Sequence, residues 1–94
     1  MKSVKTTGNV FKSLGFASAA AENLRVRAIM MNALIAHIET RKLTQAQAAK
    51  LLHITQPRVS DLMRGKIDLF SIDKLVNLLA AAGLRVDLRV RRAA

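Results

Sequence analysis

The stretch that most constrains this chain runs from Thr44 to Lys66 and reads TQAQAAKLLHITQPRVSDLMRGK. Small and apolar residues recur in it at three- and four-residue steps, in two groups separated by the corner His53-Ile54-Thr55. This spacing predicts two short helices, over Thr44–Leu52 and Gln56–Arg64, that bury their apolar faces. Two short helices joined by a tight corner are a helix-turn-helix.

Residues suited to helix ends support these boundaries. Thr44 and Thr55 precede the two helices as N-caps, because a threonine hydroxyl accepts hydrogen bonds from the free N–H groups of a first turn. Pro57 falls in the first turn of the second helix, where a missing N–H costs nothing, and Gly65 follows its last turn. The outer face of the second helix consists of Gln56, Pro57, Arg58, Ser60, Asp61 and Arg64.

Two further helices are predicted around this pair. One runs from Ala19 to about Arg41, because apolar residues recur there at helical spacing. The other covers Ile72–Ala82, with Ser71 as its N-cap and Gly83 as its terminator. The apolar stripe of the long helix consists of Leu24, Ala28, Met31, Leu34, Ile35 and Ile38.

An apolar cluster lies near the N-terminus, within Asn9–Phe16, and holds two of the three aromatic residues of the chain. It either packs on the helical core as a short element or forms an apolar ridge for another protein, and both interpretations stay open. The cluster consists of Val10, Phe11, Leu14 and Phe16. Residues 1–8 are polar and basic, which predicts a flexible tail, and residues 9–94 are expected to form a single domain.

The C-terminal segment 84–91 changes to a period of two, which predicts a β-strand. A lone strand cannot satisfy its own backbone, so this one must pair. The same strand of a second copy is the most economical partner, because a two-fold axis makes antiparallel neighbours. The N-terminal region or a different protein is the alternative. The residues predicted to face the dimer are Leu84, Val86, Leu88 and Val90.

The charge of the chain favours a polyanionic partner. Sixteen Lys and Arg residues stand against six Asp and Glu residues, a formal charge of +10, and nucleic acid is the usual partner of such a chain. Only three Phe and no Tyr or Trp are present, which argues against binding single strands by stacking.

The sequence contains no pattern for catalysis, for a metal or for a cofactor. His37 and His53 are sixteen residues apart and the chain has no cysteine, which makes a poor metal site. No P-loop, GxGxxG or GxSxG motif occurs, so we expect a protein that is not an enzyme. No stretch is apolar enough to span a membrane, and we expect a cytoplasmic chain that joins the nucleoid when bound to DNA.

The helix-turn-helix resembles that of the Cro/phage-repressor (XRE) family. The family pattern is matched by Thr44, Gln45, Ala49, Ile54, Gln56, Val59, Ser60 and Leu62. It departs at His53, where the family often has glycine, and histidine can adopt the left-handed conformation that the position favours. The resemblance implies a mostly α, lambda-repressor-like bundle of about four to five helices, to which the C-terminal strand would be added.

The resemblance also implies how duplex DNA is contacted, with the second motif helix entering the major groove. Gln56 can bond adenine in a bidentate manner, and Arg58 can do the same to guanine or hold a phosphate, an alternative that stays open. Asp61 suits the orientation of a neighbouring arginine. The predicted base contacts are Gln56, Pro57, Arg58, Ser60 and Asp61. The predicted phosphate contacts are Lys42, Thr44, Gln45, Lys50, Thr55, Arg64 and Lys66.

A second, finer resemblance concerns the N-terminal part. Asn9-Val-Phe-x-x-Leu-Gly-Phe, followed by Glu22-Asn-Leu and Arg27-Ala, is similar to the opening of a HigA-like antitoxin group. It implies a homodimeric repressor of a palindromic operator that neutralises a co-encoded toxin, and the apolar cluster Val10, Phe11, Leu14 and Phe16 is the predicted toxin-binding surface. A stand-alone regulator, or an interaction module that has lost DNA binding, is the alternative.

Overall fold

The computed structural model describes the backbone of residues 7–92 and the side chains of residues 18–92. Within this part of the chain, four α-helices and one 3₁₀ turn follow one another, and the predicted helical fold with a helix-turn-helix is confirmed. They are α1 (Thr7–Thr40), α2 (Gln45–Leu52), α3 (Gln56–Met63), the 3₁₀ turn Ile67–Leu69 and α4 (Ile72–Ala81). The predicted tail 1–8 lies largely outside the described residues, as do the side chains of Val10, Phe11, Leu14 and Phe16.

Helix α1 is longer than predicted, with 34 residues in one continuous element. The predicted start of this helix at Ala19 is therefore wrong, and residues 9–16, a separate short element in one of the two interpretations, belong to the same helix. Gly15 costs a helix only about 1 kcal/mol relative to alanine, and the alanine-rich run 17–21 that follows favours helix. After Thr40 the chain turns at Lys42, whose backbone is left-handed at φ 54°.

The core lies where all four helices meet. Leu34 of α1, Val59 and Leu62 of α3, and Leu75 of α4 are fully buried at its centre. The remaining buried side chains are Met30, Met31, Ile38, Ala48, Ala49, Leu52, Phe70, Leu78, Leu79 and Ala82. This single layer holds the motif helices against α1 and α4.

The predicted stripe of α1 is confirmed over its second half only. Met31, Leu34 and Ile38 are buried, whereas Leu24 is 43% exposed and was wrongly placed in the core. The cause is the length of α1, because residues 18–25 are all exposed and only the following turns reach the core.

The predicted N-caps are confirmed in detail. Thr44 Oγ1 accepts a hydrogen bond from the Gln47 N–H at 3.1 Å, and Gln47 Oε1 accepts one from the Thr44 N–H at 2.9 Å, which completes a capping box. Ser71 Oγ accepts from the Lys74 N–H at 3.1 Å and caps α4. These contacts define where α2 and α4 begin without any help from distant parts of the chain.

The C-terminal segment 84–92 forms neither helix nor strand in the single chain. The predicted strand is thus absent from the protomer, because a strand needs a hydrogen-bonded neighbour and the described part of the chain supplies none to this segment. Leu84 and Val86 are half-buried against the core, whereas Leu88 and Val90 are 83% and 94% exposed.

The turn between α2 and α3 yields a first prediction. His53 ends α2 with left-handed backbone angles, φ 58° and ψ 41°, which strain any residue that has a Cβ. We expect His53→Gly to raise the free energy of unfolding by about 1 kcal/mol, measured by urea denaturation.

Gly65→Ala is the matched control for this prediction. Gly65 also has a positive φ, 70°, and an added Cβ would meet no atom within 4 Å, so only backbone strain would change. We expect a loss of about 1 kcal/mol. An unchanged or lower stability of His53→Gly would contradict the strain assigned to His53.

Candidate nucleic-acid interface

Helix α3 lies at the surface, where an N-cap and a proline order its first turn and a buried apolar stripe holds its inner side. Thr55 Oγ1 accepts a hydrogen bond from the Arg58 N–H at 3.4 Å, and Pro57 lies in the first turn. Val59 and Leu62 are fully buried and fix the inner side of the helix. The N-terminal end of α3 therefore faces solvent with its backbone already ordered.

The predicted base contacts divide into two groups by their surroundings. Gln56 and Pro57 are exposed at the first turn of α3, and Ser60 is half-buried one turn later. Arg58 and Asp61 are also only partly exposed, because their side chains contact other parts of the protein. The first group is open to a ligand, whereas the second is engaged within the chain.

Arg58 is folded back onto the connector between α3 and α4, residues 64–71. Its guanidinium carbon lies 4.3 Å from the centroid of the Phe70 ring, a cation–π stack. Its Nη2 donates a hydrogen bond to the Leu69 carbonyl oxygen at 3.0 Å, and its Nη1 lies 4.0 Å from Asp61 Oδ2. The role of Asp61 as a neighbour that orients Arg58 fits this geometry.

The connector is held from other directions as well. Lys66 Nζ lies 3.5 Å from Asp61 Oδ1, so this carboxylate faces two cations. From α1, Arg27 Nη1 donates a hydrogen bond to the Ile67 carbonyl oxygen at 3.2 Å, while its Nε donates to Asn23 Oδ1 at 2.7 Å. Sequence reasoning missed the parts played by Arg27 and Phe70, because neither contact follows a helical or strand period.

The predicted phosphate contacts are all exposed, and they surround the motif. Residues 41–66 carry six basic side chains and one acidic side chain, Asp61, so the surface of the motif is positive. Gln45 opens α2, where free N–H groups favour an anion. Thr44 and Thr55 act as N-caps, and their hydroxyl oxygens are already used as acceptors within the chain. The exposed residues in question are Lys42, Thr44, Gln45, Lys50, Thr55, Arg64 and Lys66.

Other kinds of site find no support among the described residues. No group of three His, Cys, Asp or Glu side chains lies close enough there to hold a metal ion. His37 is half-buried on α1, and its Nε2 has no hydrogen-bond partner within residues 18–92. None of the helices in the described ranges is both long and apolar enough to cross a membrane.

Comparison with known proteins agrees with this geometry. A family model described as a helix-turn-helix domain matches residues 10–91. A solved structure of a protein described as an XRE family transcriptional regulator superimposes with a TM-score of 0.73. It is 36% identical in sequence, and the match covers 79% of this chain and 83% of the other. No curated protein sequence matches significantly.

The positive surface predicts a strong effect of salt on binding to duplex DNA. If two chains on one duplex neutralise about six phosphates, the logarithm of the affinity should fall against the logarithm of the salt concentration with a slope of roughly −5. The slope can be measured by fluorescence anisotropy with a labelled duplex, at salt concentrations from about 50 to about 200 mM. An affinity that does not change with salt would contradict the assignment of this surface to DNA.

Proposed function

Because the chain belongs to the XRE-type helix-turn-helix family of DNA-binding transcriptional regulators, we propose that it is a dimeric repressor and the antitoxin of a type II toxin–antitoxin pair. The observation that carries the DNA half is the exposed, pre-ordered N-terminal end of α3 within a positive surface. The antitoxin half rests on the resemblance of residues 9–28 to the HigA-like group. We propose a binding protein without catalytic activity or cofactor.

On the operator, α3 would lie in the major groove, with Gln56, Pro57 and Ser60 toward the base edges. Gln56 at the first turn has the amide that pairs with the N6/N7 edge of adenine. Lys42, Lys50, Arg64 and Lys66 would hold phosphates, and Gln45 would direct the N-terminus of α2 at another. Thr44 and Thr55 would contribute mainly as the caps that order these helices.

The dimer proposal is supported by the apolar side chains that the C-terminal segment leaves in solvent. Leu88 and Val90 are almost fully exposed, and Val76 of α4 is 40% exposed. A groove of about 480 Å³ lies between α4 and this segment, lined by Val76, Ala80, Gly83, Leu84, Arg85 and Val86. The same segment of a second copy, antiparallel about a two-fold axis, would satisfy both the backbone and the apolar side chains.

A two-fold dimer also explains why a palindrome would be the target. Two copies of α3 related by the axis would enter successive major grooves about 34 Å apart. Each copy would read one half-site, so the sequence of the operator would repeat in inverted order. Repression would follow when this operator overlaps the promoter of the operon that encodes the chain.

The proposed dimer can be tested on the exposed apolar side chains. We expect the double variant Leu88→Ser and Val90→Ser to shift the protein from dimer to monomer in sedimentation velocity, because each strand would lose the two apolar side chains that the single chain leaves exposed for pairing. The matched control, Arg89→Ser with Arg91→Ser, changes the alternate face and should remain dimeric. A Leu88/Val90 variant that still sediments as a dimer would refute pairing through this segment.

The antitoxin role can be tested with the chain's own promoter and the adjacent gene. We expect a duplex of that promoter to be shifted by the protein, and the product of a neighbouring toxin-like gene to co-purify with it and lose its toxicity. The N-terminal variant Phe11→Ala with Phe16→Ala should weaken the protein complex and leave the promoter shift intact. A promoter shift without any such partner would favour a stand-alone regulator, and the absence of a shift would favour an interaction module.

A further inference from the structure

We propose that Arg58 is a positioning residue, which locks the N-terminal half of α3 onto the α3–α4 connector, and that it does not read a base. The proposal rests on the docking of α3 in the major groove and is independent of the antitoxin role. It assigns base recognition by the first turns of α3 to Gln56, Pro57 and Ser60. It also resolves the choice between base and phosphate that the sequence leaves open for this arginine.

The first argument is that the Arg58 guanidinium already has partners within the chain. To read guanine, an arginine must direct two N–H groups outward at the O6 and N7 atoms. In this chain Nη2 is bonded to the Leu69 carbonyl at 3.0 Å, and the flat face is covered by the Phe70 ring. Nη1 points toward Asp61 at 4.0 Å. A base contact would require Arg58 to give up these partners.

The second argument is that the ring beneath Arg58 cannot move with it. Phe70 is 1% exposed and is one of the largest fully buried side chains of the core. Withdrawal of Arg58 would uncover the ring and leave the Leu69 carbonyl without its charged donor, and a charge-assisted hydrogen bond is a strong one. The stack therefore ties α3 to a fixed point in the core.

The third argument comes from the connector itself, whose backbone carbonyl groups accept hydrogen bonds from side chains of two different helices. Arg27 of α1 supplies a donor to the Ile67 carbonyl at 3.2 Å, and Arg58 of α3 supplies one to Leu69. Two arginines from two helices thus perform the same task on one segment. Lys66, on the connector, returns the contact by pairing with Asp61 of α3 at 3.5 Å.

The charges point the same way. Asp61 lies on the helix that would face DNA, where an uncompensated carboxylate would repel phosphates. Arg58 and Lys66 lie on either side of it at ion-pair distance. Arg58 therefore both anchors α3 and neutralises the one acid of the motif surface, and each task keeps its guanidinium at the protein.

The test compares variants on a panel of duplexes. A preferred duplex is first selected from random-sequence DNA with the wild-type protein, and every base pair is then substituted singly. We expect Arg58→Ala to weaken binding to all these duplexes by about tenfold, which corresponds to about 1.4 kcal/mol, with their rank order unchanged. The salt slope should also stay nearly unchanged, because no phosphate contact is lost and Lys66 still pairs with Asp61.

Two results would overturn the proposal. Loss of discrimination at one base pair, by roughly five- to a hundredfold, would make Arg58 a base reader. With uniform weakening, a salt slope reduced by about two, one for each of the two chains on the duplex, would make it a phosphate contact. Arg64→Ala is the matched control, since it removes the same charge from the exposed end of α3, and it should lower the slope in this way.

A second variant separates positioning from simple loss of folding. Phe70→Leu keeps an apolar side chain in the core but removes the aromatic face, so it should reproduce the uniform weakening while Arg58 is still present. In the double variant with Arg58→Ala, the loss of affinity should be no greater than that of the larger single variant, because both substitutions remove the same contact between Arg58 and Phe70. Additive losses in variants that retain the helical circular dichroism of the wild type would refute the positioning role of Arg58. Failure of the wild type to select any duplex would instead refute the DNA-binding role itself.

Discussion

The structure depends on a constraint of length: the two motif helices have eight residues each, below the roughly 12 to 15 at which an isolated helix is even marginally stable in water. Their stability must come from burial. Ala48 and Ala49 let α2 approach α3 closely, and Val59 and Leu62 of α3 belong to the same buried core as Leu34 of α1 and Leu75 of α4. Helices α1 and α4 are therefore the support that fixes the orientation of α3.

This support has a polar component at its edge. The connector after α3 has little regular structure. Its position is stabilised by hydrogen bonds from Arg27 and Arg58 to its carbonyl groups and by the stack of Arg58 on the Phe70 ring. Because Phe70 belongs to the core and Arg58 to the exposed side of α3, the stack joins the buried layer to the surface that would face DNA. An arginine whose position suggests base recognition can thus instead hold a helix in place.

Local signals predicted most of the fold, and long-range contacts account for what they missed. The caps Thr44, Thr55 and Ser71 act within three residues, so sequence alone identified them correctly. The extent of α1 was missed because the helix was predicted from its apolar stripe, whereas its first turns, where described, are exposed. The stack of Arg58 on Phe70 joins residues twelve apart on different elements, and no periodicity predicts such a contact. Exposure of the predicted phosphate residues agrees with the sequence pattern, while their contacts with DNA stay a prediction.

The C-terminal segment would link the proposed dimerisation of the chain to its recognition of DNA. Its alternation of apolar and charged residues suits a sheet, yet the described protomer offers it no neighbouring strand. The segment follows directly on α4, which packs against both α1 and α2, and the Leu84 N–H donates to the Leu79 carbonyl at 2.8 Å. Since its first residues are tied to this rigid support, strand pairing between two copies would set the distance and angle between their α3 helices. The spacing of the half-sites on the proposed palindrome would then be determined by residues 84–91, far along the chain from α3, the helix proposed to enter the major groove.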